Sequence, residues 1–166
     1  MKSAMLYLRL VQGTQAYLAG RGLYHSYYAI INLQKYEDAA KKLAEWSSEA
    51  DRQLHKTRTT QASGAVTVFV SFLSAIVLVI FDPYVPPMLR FCISPILLIM
   101  VMAARQHIKN YWAPGDGKTV GTKIPLPKLE DYNEAQKQTE ELLGILEYLE
   151  YGWLASSFVA GLMGWK

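Results

Sequence analysis

The sequence predicts an all-α protein, an integral membrane helical hairpin of two transmembrane helices with flanking cytosolic amphipathic helices. Three observations carry this. No charged residue occurs from Thr59 to Phe81, and Arg90 is the one charge from Pro83 to Ala104. A proline cluster, "DPYVPP", separates the two runs. On either side of the pair, apolar residues recur at helical spacing.

Crossing about 30 Å of hydrocarbon takes ~20 apolar residues in a helix. Gly64–Phe81 supplies 18, and Thr59–Gln61 extends it toward an interface. The second run, Val85–Ala104, supplies 20. A soluble helix of this length would carry a polar stripe at every third or fourth residue. Here the first run is interrupted only by Thr67, Ser71 and Ser74. Pro83, Pro86 and Pro87 cannot continue a helix, so the turn falls there. Asp82 then sits in headgroups or water, and Arg90, about one turn into the second helix, snorkels toward the same interface. Pro95 predicts a kink. A hairpin dipping into one leaflet would carry Asp82 to its deepest point, at a cost of about 2.5–3.5 kcal/mol, so full spanning is preferred. A soluble bundle with two buried central helices is the other alternative. Arg52, Lys56 and Arg58 precede the first span and Arg105 and Lys109 follow the second, which places both flanks in the cytoplasm.

The flanks divide the single domain into pieces. Residues 1–23 form a short apolar N-terminal segment, interrupted by Gly13, Gly20 and Gly22. Residues 24–60 form a long cytosolic helical region, 61–105 the hairpin, 106–128 a Gly/Pro loop, and 129–166 an acidic helix with an apolar C-terminal segment. Tyr36, Ala40, Leu43, Ser47, Ala50 and Leu54 make one seam; Tyr132, Ala135, Thr139, Leu142, Leu146 and Leu149 make another. Each has coiled-coil spacing over a short stretch. The two helices are expected to form a cytosolic stalk, the basic end of the first meeting acids of the second. Residues 130–150 carry seven acids against Lys137, a net −6, which leaves +9 on the rest of a chain of net charge +3. The C-terminal "YGWLASSFVAGLMGWK" is short for a span; packing on the membrane surface or the hairpin is expected of it, with a third span as the alternative. Its Ser157/Gly161 and Ala160/Gly164 pairs suit close helix contact. The tyrosine-rich "LYHSYYAIINLQKY" suits a membrane interface or a helix contact.

The chemistry in the sequence is sparse. A single cysteine, Cys92, excludes an intrachain disulfide. His25, His55 and His107 stand at no metal-ligand spacing and read as surface or capping residues. "GDGKT" lacks the first glycine of a phosphate loop, because Trp112 occupies that position. No basic patch with interleaved aromatics supports nucleic-acid binding. No cofactor, metal or catalytic residue is nominated, and a small membrane enzyme would need His107, Asp116 or glutamates to converge. The polar residues singled out are Asp82 and Arg90, at an interface or, in an oligomer of hairpins, at a pore mouth. The first acid is Glu37, and the acid-free basic start has one trait of a mitochondrial transit peptide. Its tyrosines and glycines favour an endomembrane or plasma-membrane location.

A long helix, two spans joined by a short turn, and a further helix, with "EWSSEADRQLHKTRTTQASGA" before the first span, resembles the SLATT two-transmembrane effector domains from about Tyr24 to Leu149. That resemblance implies a membrane-bound effector or a pore-forming one. The expected partners are the lipid bilayer and either further copies of the chain or another membrane protein. An accessory subunit of a larger complex is the alternative to self-assembly.

Overall fold

The computed structural model describes residues 2–44, 48–81, 84–112 and 129–163. They form four helices: α1 (Lys2–Ala44), α2 (Ser48–Phe81), α3 (Pro87–Trp112) and α4 (Leu129–Met163). Local chemistry suits their ends. Pro87 opens α3, where its missing N–H costs nothing. Glu130 and Asp131 in the first turn of α4 and Lys109 in the last turn of α3 match the helix dipole.

Pairs of touching residues fix the packing. Gly22 of α1 lies against Val68 of α2 and Ile145 of α4. Glu37 of α1 pairs with Arg58 of α2. The Trp112 indole of α3 donates to Thr60 of α2 at 2.9 Å. Tyr36 and Tyr132 join α1 to α4 with ring centroids 5.2 Å apart. These registers make an up-down-up-down bundle, with α1 beside α2 and α4, and α3 beside the same two. The diagonal pair α2 and α4 meets at Gly64, where a Cβ would come within 2.9 Å of Leu142.

The α4 seam predicted from sequence is the buried stripe: Tyr132, Ala135, Thr139, Leu142, Leu146 and Leu149 are all at most 1% exposed. It runs on through Trp153 and Ser156. Tyr36 and Leu54 of the other seam are buried too. That seam was expected to lie on one helix over 36–54, whereas α1 ends at Ala44 and α2 begins at Ser48, antiparallel to it. Of the Gly/Pro loop expected at 106–128, residues 106–112 instead continue α3, and 113–128 lie outside the described residues.

Two further departures have one cause. Gly13, Gly20 and Gly22 do not break α1, which runs through all three. Glycine costs a helix about 1 kcal/mol, and at Gly22 the close approach of two neighbouring helices offsets it. The acidic helix and apolar C-terminus are likewise one helix, α4. The flanks therefore run beside the hairpin as well as beyond it. α3 continues across Pro95.

Gly22→Val is expected to lower stability by about 1–3 kcal/mol through overpacking. A Cβ at Gly22 meets Val68 Cγ1 at 2.8 Å, whereas one at Gly144 meets nothing within 4 Å. Gly144→Ala is therefore expected to raise stability by about 0.5–1 kcal/mol. Thermal unfolding followed by circular dichroism measures both; equal effects at the two sites would contradict this packing.

Candidate functional site: an apolar girdle around a polar seam

The two ends of the bundle differ in what they expose. Among the described residues 25 large apolar or tyrosine side chains stand exposed. All of them fall on residues 6–28, 66–102 and 148–162, and none on the described side chains of 29–65 or 103–147. In the bundle register these three stretches lie at the same level, the half that carries the α2–α3 turn. Val66, Phe69, Leu73, Val77 and Ile80 line the outside of α2; Phe91, Ile96, Ile99 and Met102 that of α3; Leu154, Phe158 and Leu162 that of α4. Two helices, over Leu54–Phe81 and Phe91–Trp112, are long and apolar enough to cross a membrane. Only 33% and 28% of their most apolar windows are buried inside the chain. A core helix of a water-soluble bundle would be mostly buried, so this surface needs another cover.

The other half, called the base below, is polar outside and tightly fastened inside. Trp112 stacks on Tyr132 with ring centroids 5.5 Å apart. The Gln61 amide donates to Thr139 at 2.6 Å, and Thr139 donates to the Ala135 carbonyl. Glu37 is buried, and one carboxylate oxygen accepts both Nε and an Nη of Arg58, at 2.9 and 2.8 Å. Arg58 was expected to meet the acids of residues 130–150; it meets α1 because α1 lies between. Arg105 of α3 takes that role, at 2.8 Å from Glu147 and 3.1 Å from Glu150. Burial of Tyr36 pushes its hydroxyl above the usual tyrosine range.

Of the residues singled out in sequence, Asp82 lies outside the described residues. Arg90 falls in the first turn of α3, and its side chain lies outside them as well. His55 and His107 are exposed. His25 is not a surface residue: it is buried between α1 and α4, with Nδ1 2.7 Å from the Gln138 carbonyl oxygen. His107 converges with no acid, and Asp116 lies outside the described residues. Among the described residues no three His, Cys, Asp or Glu side chains come together as a metal site would require.

Sequence reading missed a seam of polar groups inside the apolar half. Gln12 and Gln15 of α1, with Trp153 and Ser156 of α4, are all at most 4% exposed. Gln15 packs on Gly152, where a Cβ would stand 2.9 Å from its Nε2. Both amide atoms of Gln15, Gln12 Oε1, Trp153 Nε1 and Ser156 Oγ are buried without a hydrogen-bond partner. The spacing of Gln12 and Gln15, one turn apart on a helix with few polar neighbours, was the available signal.

The sequence matches no protein-family model, no curated protein and no solved structure.

Gln15→Met removes two unpartnered buried polar atoms at nearly constant volume, and a gain of about 1–3 kcal/mol is expected in chemical unfolding. A loss of that size would show that ordered water pairs the amide. For Tyr36, a raised folded-state value means that burial of the neutral phenol stabilises the bundle fully below about pH 10. That contribution is lost as pH rises through the folded value. Wild type is expected to lose thermal stability above about pH 10 more steeply than Tyr36→Phe; parallel slopes would contradict the assignment.

Proposed function

We propose that this protein is a non-catalytic integral membrane component, a bundle seated in a bilayer by its apolar girdle, where it self-associates as a scaffold. The observation that carries the reading is the segregation of exposed large apolar side chains to one half of all four helices. Moving a Leu, Ile or Phe side chain from water into hydrocarbon gains about 1.5–3 kcal/mol. Over a girdle of this extent the preference for lipid is on the order of tens of kcal/mol.

In this reading α1 and α4 cross the bilayer beside the hairpin. The outward face of α4 from Tyr148 to Leu162 carries no charge. Sixteen residues of α2, Val66 to Phe81, rise about 24 Å. Tyr24, Tyr27 and Tyr28 lie at the base-side rim, where an aromatic belt belongs. Lys35, Arg52, Lys56, Arg58, Arg105 and Lys109 lie on the base side. Lys2, Arg9 and Arg90 lie toward the turn. The base then faces the cytoplasm, with the turn, the start of α1 and the end of α4 opposite.

Self-association is favoured by the outer surface of α4. A Cβ at Gly161 would meet nothing within 4 Å. One turn earlier, Ser157 turns its hydroxyl back onto the Trp153 carbonyl at 2.7 Å. This leaves a small-residue strip unused by the chain's own packing, suited to a neighbouring helix. A pore-forming effector, as the resemblance to SLATT domains implies, would need several copies. Val68, Ala75, Leu78, Val101, Leu146 and Trp153 fill the bundle axis of one chain.

Alkaline carbonate extraction is expected to leave the protein in the membrane pellet. Labelling of single cysteines in a Cys92→Ala background is expected to place positions 55 and 137 on one side and position 84, on the exposed turn, on the other. Recovery in the supernatant, or all three positions on one side, would overturn the embedding. Crosslinking in membranes is expected to give a dimer that Gly161→Leu weakens severalfold; a monomer alone would favour an accessory subunit that waits for its partner.

A further inference from the structure

The girdle is not smooth. Between α1 and α2 it holds a groove of about 610 Å³, lined by Ala16, Gly20, Arg21, Tyr24, His25 and Phe72, with Tyr17 at its edge. The geometry points to this groove as a binding site for one anionic phospholipid of the base-side leaflet, with its net-negative headgroup on Arg21 and an acyl chain along Gly20 and Phe72. The assignment rests on the embedding proposed above.

Three features carry it. The first is charge. Arg21 is exposed on the girdle, and among the described residues no carboxylate lies within 4.0 Å of it. The ion pairs described elsewhere involve Arg58 and Arg105, so this cation is left for a ligand. The second is depth. Gly20 packs level with Phe72, six residues from Val66 at the base-side edge of the girdle, about 9 Å along the axis. An arginine side chain is long enough to bridge much of that distance by snorkelling. The third is polarity along the groove. α1 runs from turn to base, so Tyr24, His25 and Arg21 form the end nearer the base. Ala16 and Phe72 form the inner end, and Ala16 to His25 covers about 14 Å. A polar mouth leading to an apolar trough matches a headgroup followed by a chain.

Gly20 keeps the trough open. A Cβ there would stand 3.5 Å from Phe72, so a leucine side chain would fill the floor while leaving the backbone unstrained. His25 is fixed by Gln138 and holds the polar end in shape. Tyr24 packs edge-on against the His25 ring at 5.4 Å and against Tyr28 at 4.6 Å.

The test uses the full chain in detergent, with phosphatidylserine and phosphatidylcholine of identical acyl chains in equal amounts, read by native mass spectrometry. Wild type is expected to keep phosphatidylserine over phosphatidylcholine by about fivefold, the value of one basic contact. Arg21→Gln is expected to erase the preference and Arg21→Lys to keep most of it. Gly20→Leu is expected to lose both lipids, with helicity by circular dichroism unchanged. Equal retention of the two lipids by wild type, or wild-type binding by Arg21→Gln, overturns the site. So does a lipid-free dimer that Gly20→Leu abolishes, because a second copy would then fill the groove. Carbonate extraction separates the two levels: a pelleted protein without lipid preference loses this site alone, while a protein in the supernatant loses the embedding itself.

Discussion

An α-helix satisfies its own backbone hydrogen bonds and leaves its side chains to find cover elsewhere. For α2 and α3 this constraint is severe, because their central turns carry no charge and only a few hydroxyls. The chain has two other helices to offer. Each covers one side of the apolar pair, and only about a third of the apolar windows is buried inside the chain. The remaining features of the bundle follow from that shortfall. Residues 6–28 of α1 and 148–162 of α4 add apolar surface at the same level, and the acids of both helices gather toward the base.

The base supplies what the girdle lacks, which is specificity. Apolar contacts between smooth helices tolerate sliding and rotation. The hydrogen bond from Trp112 to Thr60 and the stacking of Trp112, Tyr132 and Tyr36 do not. Together with the Gln61–Thr139 bond they tie all four helices in one layer. Arg105 then links α3 to α4 through Glu147 and Glu150 near the rim, where solvent is partly withdrawn and the pairing is stronger than at an open surface.

The polar seam of Gln12, Gln15, Trp153 and Ser156 has the opposite character. It lies in the apolar half and satisfies few of its own groups. Such groups cost stability wherever water is scarce, so their presence between α1 and α4 marks the joint in the bundle with the least to lose by opening. The girdle groove lies on the other flank of α1, against α2. α1 therefore carries unusual chemistry on two faces, although its composition marks it as the least membrane-like of the four helices.

What the sequence determined by itself was the helical class and the two oily runs, because absence of charge over some twenty residues is a local property. It also determined the α4 seam, since 3.6-residue periodicity survives without knowledge of a partner. The rest depended on which surfaces meet. Three glycines in α1 read as breaks until Gly22 is seen wedged between Val68 and Ile145. His25 reads as a surface residue until Gln138 is found beside it, 113 positions along the chain. The seam over 36–54 read as one helix because period alone cannot register a reversal of direction. Only the folded chain decided that the flanks lie alongside the hairpin, because the packing of α1 and α4 is set by close approach at small residues, a signal with no period to read.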